Sequence, residues 1–383
     1  MAFTPAATPK SVLGYHRIMS PTAGVRVSPL CLGAMNFGDA WKQSMGECNK
    51  DTTFEILDYF FEQGGNFIDT ANAYQSGESE QWLGEWMATR ENREQIVLAT
   101  KYTTIYTSGK GAMNSNFSGN HSKSLKNSID ASLKKLRTDY IDLLYVHWWD
   151  FTTSIPELMQ SLNHLVASGK VLYLGISDTP AWVVVKANCY AREHGLTAFS
   201  VYQGKWNAAT RDFERDILPM CESEGMGIAP WGVLASGDFK TAEQRGTADG
   251  EGRKMFPPEE KNTRIAEKLD EIAKRKGTIL TSVAIAYIMH KHPYVYPIVG
   301  GRKVSHLKGN IEALSIELSD EEIDEIEGVA EFDIGWPMNQ LFMAGQGRNY
   351  SSRMTCKDVA WTGFAAKLDV PEKVRAVKPR KLE

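Results

Sequence analysis

The chain has 383 residues, a net charge of −4 and scattered Lys and Arg residues, so it carries no basic stripe of the kind that nucleic-acid binding requires. Its five cysteines (Cys31, Cys48, Cys189, Cys221, Cys356) are widely spaced with no C-x-x-C pair, which argues against a disulfide framework and a zinc site. No window approaches the roughly 18 apolar residues of a membrane span, and residues 1–10 lack a signal-peptide core, so a cytoplasmic protein with a small-molecule partner is expected and the Asn-x-Ser sequons at Asn116, Asn120 and Asn349 are read as unused.

Eight short apolar runs read as strands: residues 29–33, 66–70, 95–101, 142–147, 171–177, 199–203, 226–231 and 295–300. They are nearly continuous rather than alternating, as strands covered on both faces are. Helical patterns separate them. The first, capped by Asp51, carries Phe54, Leu57, Tyr59 and Phe61 and stops at Gly64-Gly65; others are expected at 78–89, 122–136, 155–167, 181–193, 213–224, 259–276 and 305–314. Extra helices are read at 282–290 and 320–329. Eight even strand–helix units imply right-handed crossovers, and polar residues at nearly every C-terminal strand end favour closure: an α/β fold, a (β/α)8 TIM barrel with long loops on its C-terminal face and an extended C-terminal tail. The long loops are 103–120 and 235–258. The expected organisation is an N-terminal extension over 1–23, the barrel over 24–329 and a tail over 330–383 that packs on or near it.

In such a barrel the C-terminal strand ends form the catalytic face. Asp69, Lys101 and His147 end three successive strands, and Tyr74 follows Asp69 by five residues. A phenol is a poor acid at neutral pH, but an adjacent ammonium would lower its pKa. Asp69 could hold that ammonium, and His147 could donate a hydrogen bond to a carbonyl oxygen, a set suited to carbonyl reduction without a metal. Singly, each residue has a plainer reading as a cap or a core side chain; their conjunction at successive strand ends points to chemistry. Trp41, Trp148, Trp149, Trp336 and Phe342 are candidates for an apolar substrate wall, with Trp41, Tyr74, His147 and Trp148 the nearest expected lining.

The runs 64–74 (GGNFIDTANAY), 99–101 (ATK), 145–147 (YVH) and 175–178 (GISD) resemble the aldo-keto reductases over roughly residues 24–327. Residues 169–184 and 200–207 are similar to the branch of fungal aryl-alcohol dehydrogenases and norsolorinic acid reductases. The resemblance implies Tyr74 as the acid with Asp69, Lys101 and His147 in the roles above. No G-x-G-x-x-G follows a strand, the spelling at Gly250-Glu251-Gly252 failing at the third glycine, and no P-loop occurs. The resemblance instead implies NADP(H) lying across the barrel mouth. Asp69, Ser177, Gln203 and Asp178, which stands where many relatives carry Asn, would meet the nicotinamide end. Trp231 would stack on its ring, with Gly232, Val233 and Leu234 beside it. Gly300, Gly301, Arg302, Lys303, His306 and Asn310 would hold the adenosine phosphate, glycines baring backbone amides near a helix start and Arg302 with Lys303 supplying charge. Two positions depart from better-known branches: His306 replaces an Arg, and Gly309 an acidic or amide residue. The expected reaction is reversible, NADPH-dependent reduction of an aldehyde or ketone, aromatic or bulky, secondary-metabolite intermediates included. The alternative that the resemblance carries is a nucleotide-binding regulatory or ancillary subunit with little turnover.

Overall fold

The computed structural model describes residues 5–107, 113–247, 259–343 and 351–382. Parts of both long predicted loops (108–112 and 248–258), Gly250-Glu251-Gly252 and the sequon at Asn349 lie outside the described residues.

A hairpin comes first, β1 (Arg17–Ser20) pairing antiparallel with β2 (Ala23–Val27) across the boundary expected between extension and barrel. Eight parallel strands follow: β3 (Cys31–Gly33), β4 (Phe67–Asp69), β5 (Val97–Tyr102), β6 (Ile141–Val146), β7 (Val171–Ser177), β8 (Phe199–Lys205), β9 (Gly227–Trp231) and β10 (Ile298–Val299). They stand in the order β10-β3-β4-β5-β6-β7-β8-β9. A bridge between Ile228 and Val295 brings the two ends together, through Ile228 N–H to Tyr294 O and Tyr296 N–H to Ile228 O, each 2.8 Å. The run read as a strand over 295–300 thus pairs regularly only at Ile298 and Val299. Pro297 has no N–H to give the ladder and contributes its carbonyl alone, to Cys31 N at 3.0 Å.

Side-chain parity organises this barrel. Phe67, Val97, Ala99, Leu143, Tyr145, Val201 and Ala229 point to the axis and form an inner core with Cys31 and Tyr296. Their neighbours Ile68, Leu98, Leu144 and Val146 point outward into the core shared with the helices. Because the period is two, the next axis-facing position up each strand falls at its C-terminal end: Asp69, Lys101, His147, Gln203 and Trp231. The hairpin stops the opposite end, where Met19, Ala23 and Val27 join the inner core and the Tyr296 hydroxyl donates to Ile18 O.

Helices at Ser122–Leu136, Ile155–Ala167 and Ala181–Glu193 have the predicted bounds. The helix Lys50–Glu62 differs at its start, because Asn49 and not Asp51 is the cap, its side-chain oxygen accepting Thr52 N–H at 3.0 Å. The pattern read as one helix over 213–224 divides into a 3-10 turn, Asp212–Glu214, and a helix, Ile217–Glu224. Pro219 explains the break: its ring is tolerated in a first helical turn but excludes a helical residue four places earlier. The last barrel unit adds Glu260–Lys276 and Leu280–His290 before β10, then Val304–Glu312 and Asp320–Glu327.

Charged contacts fix the tail to the outside of the barrel. Arg215 donates twice to Asp333 O (2.9 and 2.6 Å), and the Arg211 and Arg215 guanidiniums lie 4.6 and 4.9 Å from the Phe332 ring centre. Further along, Arg353 pairs with Asp320 and Asp324, Lys373 with Glu222, and Arg380 stacks over Tyr15. No helix among the described residues is long and apolar enough to cross a membrane.

Candidate active site

The four strand-end residues meet at the barrel mouth. Lys101 is fully buried on β5, and its ammonium lies 2.5 Å from Asp69 Oδ1, 2.7 Å from Thr70 O and 3.4 Å from the Tyr74 hydroxyl. Asp69 is held from its other oxygen as well, since Gln203 Nε2 donates to Oδ2 at 2.9 Å. A buried ammonium with one carboxylate, one carbonyl and one phenol has all three protons directed, so its position is set from three sides. Beneath it lies the Tyr145 ring, 5.8 Å from Nζ, a floor the sequence reading did not name. The parity of β6 could have found it, two residues before His147.

The Tyr74 ring is bracketed by aromatic edges, His147 at 5.9 Å and Trp41 at 6.4 Å between centres. Burial pushes the phenol pKa above its ordinary value, and Lys101 offsets part of that rise. The expectation of a net lowering is therefore corrected: desolvation outweighs the ammonium. For Lys101 itself burial works against the charge, but Asp69 and then Tyr74 overcome it, and the pKa ends above the ordinary lysine value. The lysine is a cation throughout the physiological range.

Burial, with a smaller push from Lys101, takes His147 down to about 3. It is a neutral imidazole at neutral pH. Trp148 Nε1 donates to Thr104 Oγ1 at 3.0 Å, which keeps the Thr104 hydrogen available to His147 Nδ1 at 3.3 Å. With that hydrogen given to Nδ1, Nε2 is the nitrogen that carries hydrogen. Trp148 is thus tied to Thr104 and partly exposed, while Trp149 is buried against Phe151 and Trp336 is 77% exposed. Of the aromatics read as a wall, Trp41 is the one set edge-on to Tyr74; Phe342 is buried.

A second group sits on the neighbouring strand ends. Ser177 ends β7 and is buried; Asp178 follows with φ 41°, its N–H donating to Gln203 O at 3.1 Å and its carboxylate accepting the Trp231 indole N–H at 3.2 Å. Burial raises the Asp178 pKa despite Trp231 and Lys101, which act the other way. Gly232 turns the chain at φ 69° and its carbonyl accepts from Asn207 Nδ2 at 2.8 Å; Val233 is buried and Leu234 partly so. Asn207 closes the run 200–207 that carries the resemblance, but its role is not legible there, since nothing in its local pattern marks a partner 25 residues away.

The third group follows β10. Gly300 and Gly301 lead into the helix Val304–Glu312, whose cap, Lys303, gives no side-chain bond to it. His306 leans back over this entry, its Nδ1 accepting Arg302 N–H at 3.4 Å, and a Cβ on Gly301 would lie 2.8 Å from the His306 Cβ. Burial, then Lys303 and Arg302, lowers the His306 pKa, so the positive charge here belongs to Arg302 and Lys303. The Arg302 guanidinium crosses to the loop after β3 and covers Gly46, where a Cβ would fall 1.9 Å from Nη1. Asn310 is buried, and Gly309 is packed against Ile279, with its carbonyl accepting from Ser282 Oγ at 2.8 Å. Two cationic side chains, bare glycine backbone and an uncapped helix start suit a phosphate, and an indole beside a carboxylate, a serine and an amide suits a nicotinamide.

The Aldo/keto reductase family pattern matches residues 29–331. The chain belongs to the aldo/keto reductase family. It is 60% identical to norsolorinic acid reductase A of Aspergillus parasiticus over 380 residues, 99% of this chain and 97% of that protein. It is 56% identical to a norsolorinic acid reductase of Emericella nidulans, covering 99% and 98%, and 55% identical to an aryl-alcohol dehydrogenase of Pestalotiopsis microspora, covering 91% and 90%.

The His147 shift has a signed consequence. Its folded pKa, about 3, lies below the ordinary 6.5, so the unfolded chain takes up the proton first as pH falls. Stability assigned to neutral His147 is complete above pH 6.5 and drains away between 6.5 and 3. His147→Gln is expected to flatten part of that decline when urea midpoints are compared at pH 7 and pH 5; an unchanged slope would show that His147 does not titrate in the way described.

Proposed function

We propose that the protein reduces an aldehyde or ketone with NADPH, and that the reaction runs in reverse with the alcohol. The observation that carries this reading is the Tyr74 hydroxyl 3.4 Å from a buried, carboxylate-held Lys101 ammonium at the open end of a family barrel. Bound NADPH would supply the hydride to the carbonyl carbon. The chain's own residues supply the rest. Tyr74 gives its proton to the oxygen as negative charge builds there, and the neighbouring ammonium, fixed by Asp69, stabilises the phenolate left behind. Neutral His147 presents Nε2–H as a hydrogen-bond donor that orients the carbonyl without itself changing charge. Because burial holds the phenol protonated before reaction, the acid is ready in its acid form, and Lys101 lowers the cost of releasing the proton.

Preference for NADPH over NADH rests on Arg302 and Lys303 beside the start of the helix Val304–Glu312, which would meet the extra phosphate. For substrate, the relatives' names include norsolorinic acid reductase and aryl-alcohol dehydrogenase, and the aromatic sides of the mouth, Trp41 and Trp148, favour an aromatic or bulky carbonyl. A cytoplasmic setting fits a cofactor of this kind.

Tyr74→Phe should leave NADPH binding, followed by fluorescence, nearly unchanged and reduce turnover of an aryl aldehyde by about 10²–10⁴-fold. Undiminished turnover would remove Tyr74 from the acid role. Arg302→Ala should weaken NADPH by roughly tenfold or more and leave NADH within about twofold; wild-type protein that binds both cofactors equally would defeat the preference.

A further inference from the structure

The turn after Tyr74 carries a backbone that its sequence does not favour. Gln75 (φ 52°, ψ 39°) and Ser76 (φ 56°, ψ 26°) both lie in the left-handed region, ahead of Gly77 at φ 98°. Two successive residues with a Cβ adopt that conformation only when their surroundings compel it. Here the compelling contacts run to another loop. The Gln75 side chain is 1% exposed, and its amide joins both ends of the segment after β3: Nε2 donates to Met35 O at 3.0 Å, Oε1 accepts Trp41 N–H at 2.7 Å, and Nε2 also lies 3.9 Å from Met45 Sδ.

Glu78 holds the middle of the same segment. Its Oε2 accepts the backbone N–H of Asp39 at 2.7 Å and of Ala40 at 3.0 Å. Between these anchors the loop backbone runs so close that a Cβ on Gly38 would lie 2.4 Å from the Gln75 Cβ and 3.0 Å from Glu78 Oε2. The left-handed turn is what swings Gln75 away from the helix that starts at Glu78 and into the loop. At the end of this arrangement stands Trp41, edge-on to the Tyr74 ring at 6.4 Å.

We infer that Gln75 and Glu78 form a latch that holds Trp41 beside the Tyr74 phenol and thereby selects large aryl carbonyls over small aliphatic ones. The inference rests on the carbonyl-reductase reading above. Gln75 is a positioning residue: it acts through Trp41 and not on the reacting atoms. An aryl substrate seated on the Trp41 edge gains from a fixed indole, whereas a small aldehyde reaches Tyr74 and His147 without it. The sequence places Gln75 one residue after the acid, so the side chain that positions the substrate wall sits in the same turn as the proton donor.

The test compares Gln75→Gly, which removes the amide while suiting the left-handed backbone, in the wild-type and Trp41→Ala backgrounds. Amide hydrogen exchange over residues 35–45 should rise by about tenfold in Gln75→Gly. With naphthaldehyde kcat/KM should fall by about tenfold, with propanal it should stay within about twofold, and NADPH affinity should not move. In the Trp41→Ala background the same substitution should change the naphthaldehyde-to-propanal ratio by less than about twofold, because the side chain it acts through is gone. Glu78→Gln should shift exchange and ratio the same way by about two- to threefold, and carries the test if Gln75→Gly does not fold. An unchanged ratio, an equal loss for both aldehydes, or a full effect without Trp41 would each overturn the proposal. Wild-type protein that reduces neither aldehyde would defeat the carbonyl-reductase reading instead, and the exchange comparison would still decide whether the latch holds the loop.

Discussion

A single buried ion pair sets the terms for everything at the barrel mouth. Lys101 is removed from solvent, and so is Asp69, which means that neither charge is tolerable without the other. Removing one partner from such a pair typically costs about 3–5 kcal/mol. The pair is nonetheless weak evidence of stability, because two packed apolar residues could do as well; what it secures is a cation at a fixed point. Three further groups are placed by it: the phenol of Tyr74 on the Lys101 side, Gln203 on the Asp69 side, and the carbonyl of Thr70 at the turn that leads to Tyr74. Gln203 matters because it is also read as a nicotinamide contact. A ligand that engages its amide would touch the group that holds Asp69, which in turn holds Lys101 beside the acid.

Much of this was legible along the chain. Barrel strands two-sidedly buried read as apolar runs, and polar residues at their C-terminal ends mark the functional face. The period-two parity that places Phe67, Ala99 and Tyr145 on the axis places Asp69, Lys101 and His147 there too, which is why their conjunction could be read without coordinates. The aligned bounds of three helices, Ser122–Leu136, Ile155–Ala167 and Ala181–Glu193, have the same origin in clear periodicity and caps such as Ser154.

What escaped reading depends on distance or environment. The hairpin β1–β2 is short and carries Arg17 and Arg26, so it has no apolar run to announce it; only its contact with the barrel floor gives it a role. The Gln203–Asp69 bond joins residues 134 apart, and the Asp178–Trp231 bond residues 53 apart. The direction of the Tyr74 pKa escaped for another reason: the sequence shows that a lysine is near but not how dry the phenol is, and dryness wins. The left-handed Gln75 and Ser76 are likewise invisible to propensity, since glycine or asparagine would be expected at such a turn.

The chemistry of the mouth turns on Lys101, which, held by Asp69, offsets the burial that keeps the Tyr74 phenol protonated. Its most direct test is the pH dependence of single-turnover hydride transfer from NADPH to an aryl aldehyde in the wild-type enzyme and in Lys101→Met. With the ammonium removed and burial retained, the rate should fall by about 10²-fold or more and its alkaline limb should move to higher pH. An alkaline limb that stays in place, with the rate little changed, would contradict the claim.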